Sequence, residues 1–461
     1  MKELYRKESD SVGTLDVPVD AYYGVQSLRG RNNFYITGRG PEKAFIYNIV
    51  KIKKAAAKTN FEANVISEDI ANAIIKACDE ILDGKYYDAF ITDAIQGGAG
   101  TTFNMNVNEV VANVATEKLG GKKGTYICHP NDHVNCGQST NDVIPTAGKL
   151  TVIELSSELF KVLGDLVKSL RNKEKEFDDV IKMGRTQLED AVPIRLGQEF
   201  GAYACGVERN IVRLKSSIEE MHILNIGGTA IGTCINASKE YVQNMYKELS
   251  KETGFDLELS NNLIDATQNL DSFAAISGDL KALALTLSKM CNDLRLMNSG
   301  PKDGLGEITL PAKQNGSSIM PGKINPVIPE VVNQVAFNVV GNDACINMAV
   351  EAGQLELNAF EPVIFNKLFD SITTLTNAIK TLIANCIDGI KANKERCYEL
   401  LMSSVGIVTA LAPYIGYKKS ADLAHEALDT NRKIKDLVLE KGLMDEATLD
   451  KVLDPYKMTE I

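Results

Sequence analysis

Tryptophan is absent from this 461-residue sequence, and aromatic residues make up only 6% of it. The sequence also lacks an uninterrupted apolar run of about eighteen residues, the length that a membrane-spanning helix needs. The N-terminus is charged from Lys2 onward and contains no apolar segment of the kind found in secretory signals. We therefore expect neither a membrane span nor secretion.

C-x-x-C pairs are absent as well, although the chain has nine cysteines. An odd number of scattered cysteines cannot all pair within one chain, so reduced thiols and a cytoplasmic location are expected. Excess positive charge is also lacking, since the formal net charge is -11. Nucleic acid and anionic membranes are therefore not predicted as partners, and any anionic ligand needs a locally positive site.

Proline is missing from three long stretches, 146–192, 194–300 and 363–412. Because proline interrupts helices, these stretches have room for unusually long ones. Two of them carry apolar residues spaced three and four positions apart, from Phe273 to Met297 and from Phe365 to Cys386, which is the spacing of one helix face. In a third segment, 152–167, two adjoining apolar stripes make a broad face that favours neighbours on two sides, as in a multi-helix bundle.

With further helices near 197–222 and 327–355, the pattern predicts a mainly all-α chain built around about five long helices. We expect a mixed but mostly helical N-terminal domain at 1–139, a central bundle at 140–392 and a small helical C-terminal domain at 393–461. An ordinary monomeric bundle is compatible with the same pattern.

The least ordinary segment is GSSIMPGKINP, residues 316–326. Its glycines and prolines exclude regular helix, so a loop between two long helices is predicted. Taken alone, such a loop is usually a solvated connector. It contains two serines, a lysine and an asparagine, however, and these side chains are suited to binding an anion.

This loop resembles the signature loop of the aspartase/fumarase superfamily. Four other segments resemble blocks of that superfamily in the expected order, so the resemblance covers essentially the whole chain. They are GTTFNMNVNEV, HPNDHVNCGQSTND, GRTQLEDAVPIRLGQEF and EAGQLELNAFEPV, beginning at residues 100, 129, 184 and 351. The resemblance implies a three-domain, mostly helical subunit whose central helices combine with those of three further copies into a twenty-helix core. It also implies active sites built from three chains, so that only the homotetramer is active.

The reaction that the resemblance implies is loss of ammonia from L-aspartate to give fumarate, without an organic cofactor. A base removes a proton from the carbon beside the β-carboxylate, and the resulting aci-carboxylate dianion needs donors aimed at its charge. Ser317 matches the family's catalytic base. We hypothesise that Lys323 and backbone N–H groups exposed by Gly316 stabilise its ionised oxygen when the loop closes over substrate.

The same resemblance assigns the substrate contacts. Thr101, Ser139, Thr140 and Ser318 match positions that hold the β-carboxylate, Thr186, Lys323 and Asn325 match positions that hold the α-carboxylate, and Asn141 and Gln187 match positions that face the departing group. Ser139 and Thr140 also precede a predicted long helix, whose N-terminus favours an anion. From spacing alone they fit equally well as plain helix caps.

Gln187 helps to choose between members of the superfamily. Fumarases characteristically have histidine at this position of the motif, and a hydratase needs a proton for its departing hydroxyl more than an ammonia-lyase does. The segments 188–193 and 24–29 also resemble aspartases more than fumarases. Fumarate hydratase and a catalytically inactive structural homologue are the alternatives, and a dicarboxylate is the predicted small-molecule ligand.

A metal site is an alternative at His129 and His133, which lie near two cysteines and Asp132. A nearby glycine and proline argue against a helix that presents both histidines on one face, and the resemblance puts His129 and Asn131 near a secondary anion site. No metal ligands are therefore assigned. Some superfamily members respond to a divalent cation such as Mg2+, which leaves cation activation open.

Overall fold

Helices dominate the fold, as the proline-free apolar stripes predict. The computed structural model describes residues 4–460, which contain sixteen α-helices. They are α1 (Val25–Asn33), α2 (Lys43–Glu62), α3 (Glu68–Leu82), α4 (Thr101–Lys118), α5 (Thr140–Glu176), α6 (Leu196–Glu219), α7 (Lys239–Thr253), α8 (Leu263–Gln268), α9 (Asp271–Met297), α10 (Val327–Glu351), α11 (Glu361–Asn385), α12 (Lys394–Ser403), α13 (Ala412–Ile415), α14 (Tyr417–Thr430), α15 (Ile434–Glu440) and α16 (Glu446–Val452). The long helices α5, α6, α9, α10 and α11 confirm the mainly all-α prediction.

The strands form four two-stranded ribbons within the described residues. They are β1 (Tyr5–Ser9) with β2 (Thr14–Pro18), β3 (Ile181–Thr186) with β4 (Glu189–Arg195), β5 (Ile223–Leu224) with β6 (Glu258–Leu259), and β7 (Ile308–Thr309) with β8 (Lys391–Ala392). The β5–β6 pair is parallel and the others are antiparallel.

The two predicted apolar stripes are buried. Every stripe residue from Phe273 to Met297 on α9, and from Phe365 to Cys386 along α11 and just after it, is at most 5% exposed. Burial of one such side chain contributes roughly 1.5–3 kcal/mol. Helix ends differ from the predicted ones by a few residues. For example, α10 ends at Glu351, followed by a turn in which Asn358 Nδ2 donates to the carbonyls of Ala349 and Val350.

Chain packing defines two units. Unit 1 comprises residues 4–159, 212–281 and 338–374, and unit 2 comprises residues 160–211, 282–337 and 375–460. The domain boundaries expected at 139 and 392 remain a prediction. Within residues 4–460 no single helix is long and apolar enough to cross a membrane, and the segments 394–403 and 405–415 reach that length only as a pair bent by 69°.

The core of unit 1 is formed where α2 packs on α3, α4 and α7. Phe45 of α2 lies 5.5 Å, between ring centroids, from both Phe103 of α4 and Phe365 of α11. Gly148 of α5 allows this packing, because a Cβ there would lie 2.4 Å from the Phe365 ring. These aromatic contacts connect the start of α4 and the start of α5 to the same core.

Unit 2 has its own core beneath the β3–β4 ribbon. Met183 of β3 is buried with Leu401, Leu411, Leu437 and Leu449 from the C-terminal helices. The ribbon is therefore supported from one side by the small helical segment that ends the chain.

Candidate active site

The predicted site residues fall into two groups. Unit 1 carries Thr101, Ser139, Thr140 and Asn141, and unit 2 carries Thr186, Gln187, Ser317, Ser318, Lys323 and Asn325. Within each group the residues lie at element ends or in loops, where polar side chains and backbone groups are accessible.

The turn at 139–141 is held at the start of α5 by the buried carboxylate of Asp142. Its Oδ1 accepts from the N–H of Ser139 at 2.9 Å, and its Oδ2 accepts from the N–H groups of Gly227 and Thr229 at 3.0 and 3.1 Å. Ser139 also serves as a helix cap, since its Oγ accepts from the N–H of Asn141 at 3.2 Å. The capping interpretation therefore applies to Ser139, whose side chain stays only half-buried.

Pro145 explains a second attachment of the same turn. Proline has no N–H, so the carbonyl of Asn141 four residues earlier has no partner within α5. Asn225 Nδ2 donates to that carbonyl at 3.0 Å, and Asn141 Nδ2 in turn donates to the carbonyl of Ala230 at 2.7 Å. The loop after β5 thus fixes both the main chain and the side chain of Asn141.

A buried lysine lies beneath this part of unit 1. Lys53 of α2 donates to Asn104 Oδ1, Asn135 Oδ1 and Gln138 Oε1 at 2.7, 2.9 and 2.8 Å. Burial lowers the pKa of Lys53 to about 7, although the Asp142 carboxylate opposes the shift. Burial likewise raises the pKa of Asp142 to about 6, against the effect of its three backbone donors and of Lys53. The two groups place opposite charges behind the turn.

Thr101 is the first residue of α4 and is exposed. Gly100 precedes it with φ of +80°, and a Cβ at Gly100 would lie 2.9 Å from Ile144 Cγ2 in the second turn of α5. The glycine therefore permits a close approach between the start of α4 and the start of α5. The first turn of α4 has no acidic residue and no side-chain cap. The N–H and Oγ1 of Thr101 both donate to the carbonyl of Gly98, at 3.0 and 2.8 Å, so it is the later N–H groups of this turn that suit an anion.

Thr101 lines a cavity of about 420 Å³ together with Arg29, His129 and Asn131. Pro130–Val134 forms a single π-helical turn, with His129 as its N-cap. His129 Nδ1 accepts from the N–H groups of Asn131 and Asp132, and His133 Nδ1 accepts from the N–H of His129. Within residues 4–460 no group of three His, Cys, Asp or Glu side chains is arranged to hold a metal ion.

Thr186 and Gln187 lie at the exposed tip of the β3–β4 ribbon. Gln187 and Leu188 form its two-residue turn with φ of +57° and +68°. A turn of this kind favours Asn-Gly, because the left-handed region costs residues with larger side chains roughly 1–2 kcal/mol each. Backbone strain of this kind is common at functional sites.

Ser317 lies in the predicted loop, where its Oγ accepts from the N–H groups of Ile319 and Met320, both at 3.2 Å. The N–H of Gly316 itself donates to the carbonyl of Lys323 at 2.8 Å, and the hypothesis that N–H groups exposed by Gly316 act with Lys323 on Ser317 when the loop closes stays a prediction. A Cβ at Gly316 would lie 2.2 Å from that carbonyl oxygen. Glycine at position 316 therefore allows the two ends of the loop to approach each other. The N–H groups that contact Ser317 Oγ are those of Ile319 and Met320.

The remaining loop residues are differently placed. Asn325 Nδ2 donates to the carbonyl of Gly316 at 3.0 Å, which leaves its side chain half-buried. Ser318 and Lys323 are exposed. The loop thus exposes the hydroxyl of Ser318 and the ammonium group of Lys323. Asn325 connects the two ends of the loop through its hydrogen bond to Gly316.

Sequence reasoning did not identify the residues that hold the turn at 139–141. Asp142 has a local signal, since a carboxylate three residues after Ser139 is the spacing of a capping box. Lys53 and Asn225 have none, because they contact the turn region from distant parts of the chain. Only the folded structure brings them together.

Comparison with protein families identifies the class. Residues 13–341 match the family described as Lyase, and residues 407–460 match the family described as Fumarase C C-terminus. The first match covers more than half of the chain and ends within α10. These two matches define a lyase with the organisation of the aspartase/fumarase superfamily.

Individual relatives narrow the assignment. Aspartate ammonia-lyase of Helicobacter pylori is 50% identical over 456 residues, which cover 98% of this chain and 97% of the relative. The solved structure of fumarate lyase:delta crystallin from Brucella melitensis bound to cobalt has a TM-score of 0.96 at 46% identity and covers 99% of this chain and 100% of that chain. Class II fumarase from Schistosoma mansoni has a TM-score of 0.96 at 35% identity and covers 98% of this chain and 99% of that chain. The chain therefore belongs to the aspartate ammonia-lyase family.

Proposed function

We propose that this protein is an aspartate ammonia-lyase that converts L-aspartate reversibly to fumarate and ammonia. The observation that carries the proposal is the environment of Ser317. Its Oγ accepts two backbone N–H groups in an accessible loop, and such donors lower the energy of an alkoxide. The 50% identity with an aspartate ammonia-lyase along nearly the full chain supports the same conclusion.

In the proposed mechanism, ionised Ser317 Oγ takes a proton from the substrate carbon next to the β-carboxylate. The electron pair of that C–H bond moves into the carboxylate and gives the aci-carboxylate dianion. The pair then returns to form the carbon–carbon double bond while the Cα–N bond breaks. The ammonium nitrogen leaves as neutral ammonia, and the proton remains on Ser317.

The β-carboxylate would be held by Thr101, Ser139, Thr140 and Ser318. Three of these residues lie at the first turns of α4 and α5. Helix N-termini present unpaired N–H groups and the positive end of the helix dipole, which suits a group that gains negative charge in the reaction. Asp142 keeps the α5 turn in place without occupying the anion position.

The α-carboxylate would be held by Thr186, Lys323 and Asn325. Lys323 supplies a positive charge from an exposed position, and the threonine and asparagine supply directional hydrogen bonds. Gln187 and Asn141 would face the amine, where amide oxygens accept from an ammonium group. A glutamine cannot donate a proton to a departing hydroxyl as histidine does, so it fits ammonia loss better than water loss.

We also propose that three chains of a cytoplasmic homotetramer supply the residues of each active site. α10 has a buried face formed by Val332, Ala336 and Val339, yet Phe337 and Met348 on the same helix are 66% and 74% exposed. An apolar face of this kind is typical of a helix that packs against another copy. The nine cysteines are all unpaired, in keeping with a reducing compartment.

No organic cofactor is needed for the proposed chemistry, and no step requires a metal ion. Activation by a divalent cation such as Mg2+ is a separate proposal, tested by assaying the enzyme with and without a chelator. Within residues 4–460 of one chain, no group of three His, Cys, Asp or Glu side chains is arranged to hold such a cation.

The experiment for the proposed function incubates the purified protein with L-aspartate and, separately, with L-malate while fumarate absorbance is followed. We expect fumarate from L-aspartate and none from L-malate. Fumarate hydratase is the second candidate, because residues 407–460 match the family described as Fumarase C C-terminus. Fumarate formed from L-malate alone would establish that candidate, and no fumarate from either substrate would favour the inactive homologue.

A further inference from the structure

The carboxylate of Glu307 is a fully buried anion in unit 2, with 0% exposure. Its Oε1 accepts from Arg185 Nη1 at 2.7 Å, and Lys182 Nζ forms an ion pair with its Oε2 at 3.1 Å. Lys182 also donates to Glu199 Oε1 at 2.8 Å. Arg185 Nε also pairs with Asp190 Oδ1 at 3.7 Å. Two cations and three anions thus form one connected charge network beside a cavity that Arg185 and Leu188 line.

Both cations of this network belong to β3, the strand that leads to the turn at 186–189. Arg185 directly precedes Thr186, and the strand register shifts between Met183 and Arg185. A Cβ at Gly184 would lie 2.8 Å from the carbonyl oxygen of Val192, so the irregularity depends on glycine. Bulges of this kind redirect the side chains that follow them. The bulge therefore lies directly before Arg185 and the turn that follows it.

The main chain of Glu307 is equally well fixed. Its N–H donates to the carbonyl of Met297 at the end of α9, and its carbonyl accepts from the N–H of Asn393 at 2.9 Å. Asn393 Nδ2 also donates to the carbonyl of Gly306 at 2.7 Å. Glu307 lies in the same connection between α9 and α10 that carries the Ser317 loop. Hydrogen bonds therefore fix the position of Glu307 relative to β3 and within the connection that carries the Ser317 loop.

We propose that Glu307 is a positioning residue, whose buried carboxylate holds Arg185 and Lys182 and thereby sets the turn that presents Thr186 and Gln187 to substrate. This inference rests on the proposed function. Burial opposes the charged form of Lys182, but Glu199 and Glu307 outweigh it and raise the pKa of Lys182. Lys182 therefore stays charged between the two carboxylates, at 2.8 Å from Glu199 Oε1 and 3.1 Å from Glu307 Oε2.

The network is not explained by stability alone. Buried ion pairs contribute little to stability compared with apolar side chains of the same size, because both charges lose their hydration. The turn that the network supports is strained at Gln187 and Leu188. A strained turn that is held by an ionic network is better explained by a need for exact placement of the residues at its tip.

The test compares the wild-type enzyme with Glu307→Gln, which keeps the size of the side chain and one acceptor oxygen but removes the charge. We expect kcat/KM for L-aspartate to fall about 100-fold, as for a small displacement of binding groups, with KM raised. The matched control is Glu440→Gln, which neutralises the exposed partner of Arg432 and is expected to leave KM unchanged. A purely structural role would reduce the amount of folded enzyme and leave KM as it was.

A double-mutant cycle with Thr186→Ala shows whether Glu307 acts through the turn. In the Thr186→Ala background, Glu307→Gln is expected to change KM by no more than about threefold, because coupled residues are not additive. An equal effect in both backgrounds, or an unchanged KM in the folded Glu307→Gln enzyme, would overturn the proposal. If Glu307→Gln does not fold, Arg185→Lys keeps the charge, loses the guanidinium that donates to Glu307 Oε1 and is expected to raise KM in the same way.

Hydrogen exchange of the amides at 183–190 gives a readout that does not depend on the reaction. Faster exchange in Glu307→Gln or Arg185→Lys, but not in Glu440→Gln, is expected, and unchanged exchange would overturn the inference. If the wild-type enzyme forms no fumarate from L-aspartate, the proposed function fails while the exchange result still decides the positioning role. If the wild-type enzyme is active but exchange and KM are unchanged, only the positioning role fails.

Discussion

Asp142 is the residue on which the unit 1 part of the site depends most. Its two oxygens accept three backbone N–H groups, from Ser139, Gly227 and Thr229. Burial raises its pKa to about 6, whereas its ordinary value is 3.8. Because the folded chain binds this proton more tightly, the contribution of Asp142 to the free energy of unfolding is largest below pH 3.8 and is lost as the pH rises through about 6.

We expect kcat/KM to fall with falling pH, in the opposite direction to the contribution of Asp142 to the free energy of unfolding. Protonation of Asp142 turns one acceptor oxygen into a donor, so the turn at 139–141 loosens as the pH falls through about 6. We predict an acid limb near pH 6 in the profile of kcat/KM, and its loss in Asp142→Asn. That variant should have kcat/KM at least about tenfold lower at pH 8, since each hydrogen bond to a charged group contributes about 1.5–3 kcal/mol.

The matched control for this prediction is Asp445→Asn. Asp445 is also a helix cap, at the start of α16, but it is exposed and its pKa is lowered by hydrogen bonds from Thr448. We expect Asp445→Asn to leave the pH profile unchanged. An Asp142→Asn enzyme that keeps the acid limb would show that another group titrates there.

Single residues of the site were predictable only where the sequence motif itself carries them. The loop residues Ser317, Lys323 and Asn325 stand out because glycines and prolines mark the loop and the family resemblance names the positions. Glu307 and Lys53 do not stand out, since a lone carboxylate or lysine is usually solvated. Their roles arise from contacts across 122 and 85 residues of sequence.

Among the elements, the β3–β4 ribbon differs most from expectation. The pattern predicts helices on both sides of it, which are α5 and α6, but the ribbon itself was not predicted. Its turn sequence, Gln187-Leu188, lacks the Asn-Gly signal that usually identifies a two-residue hairpin. The buried network at Lys182 and Arg185, rather than local preference, holds this turn.

The strain at this turn leads to a stability prediction. Leu188 has φ of +68° and is 72% exposed, so Leu188→Gly removes an unfavourable backbone conformation and little packing. We expect the free energy of unfolding to rise by about 1 kcal/mol, measured as a higher midpoint of thermal unfolding. Leu188→Ala retains Cβ and is expected to change stability by less than about 0.5 kcal/mol. Equal effects of both variants would show that the turn is not strained.

Long helices, in contrast, were predictable because their signal is local and repeated. The stripes on α9 and α11 run through several turns, and every stripe residue is buried as expected. Helix ends were less predictable, since they depend on turns such as the one that Asn358 forms after α10. The fold class therefore follows from periodicity, whereas the site depends on how loops meet.

For the whole molecule, the proposed tetramer follows from apolar surface that one chain leaves exposed. Phe337 on α10 is 66% exposed, and a charge at its position would remain unpaired in a helix-to-helix interface. We predict that Phe337→Asp dissociates the tetramer and lowers activity by more than about tenfold, since central aromatic residues dominate interfaces. Light scattering coupled to size exclusion measures the first effect.

The control for that prediction is Leu428→Asp on α14. Leu428 is 65% exposed, nearly as much as Phe337, but it lies in the small C-terminal helical segment. We expect this variant to remain tetrameric and active. A wild-type protein that is monomeric and fully active would refute the shared active site.

In the proposed mechanism, Ser317 is the base that removes the proton from L-aspartate. The most direct measurement is the steady-state rate of fumarate formation by Ser317→Ala beside the wild-type enzyme, at equal concentration of folded tetramer. Since a positioned general base contributes about 100- to 10,000-fold, we predict a fall in kcat within that range and little change in stability. A Ser317→Ala enzyme that keeps more than about a tenth of the wild-type kcat would contradict the claim, because such a loss is too small for removal of the base.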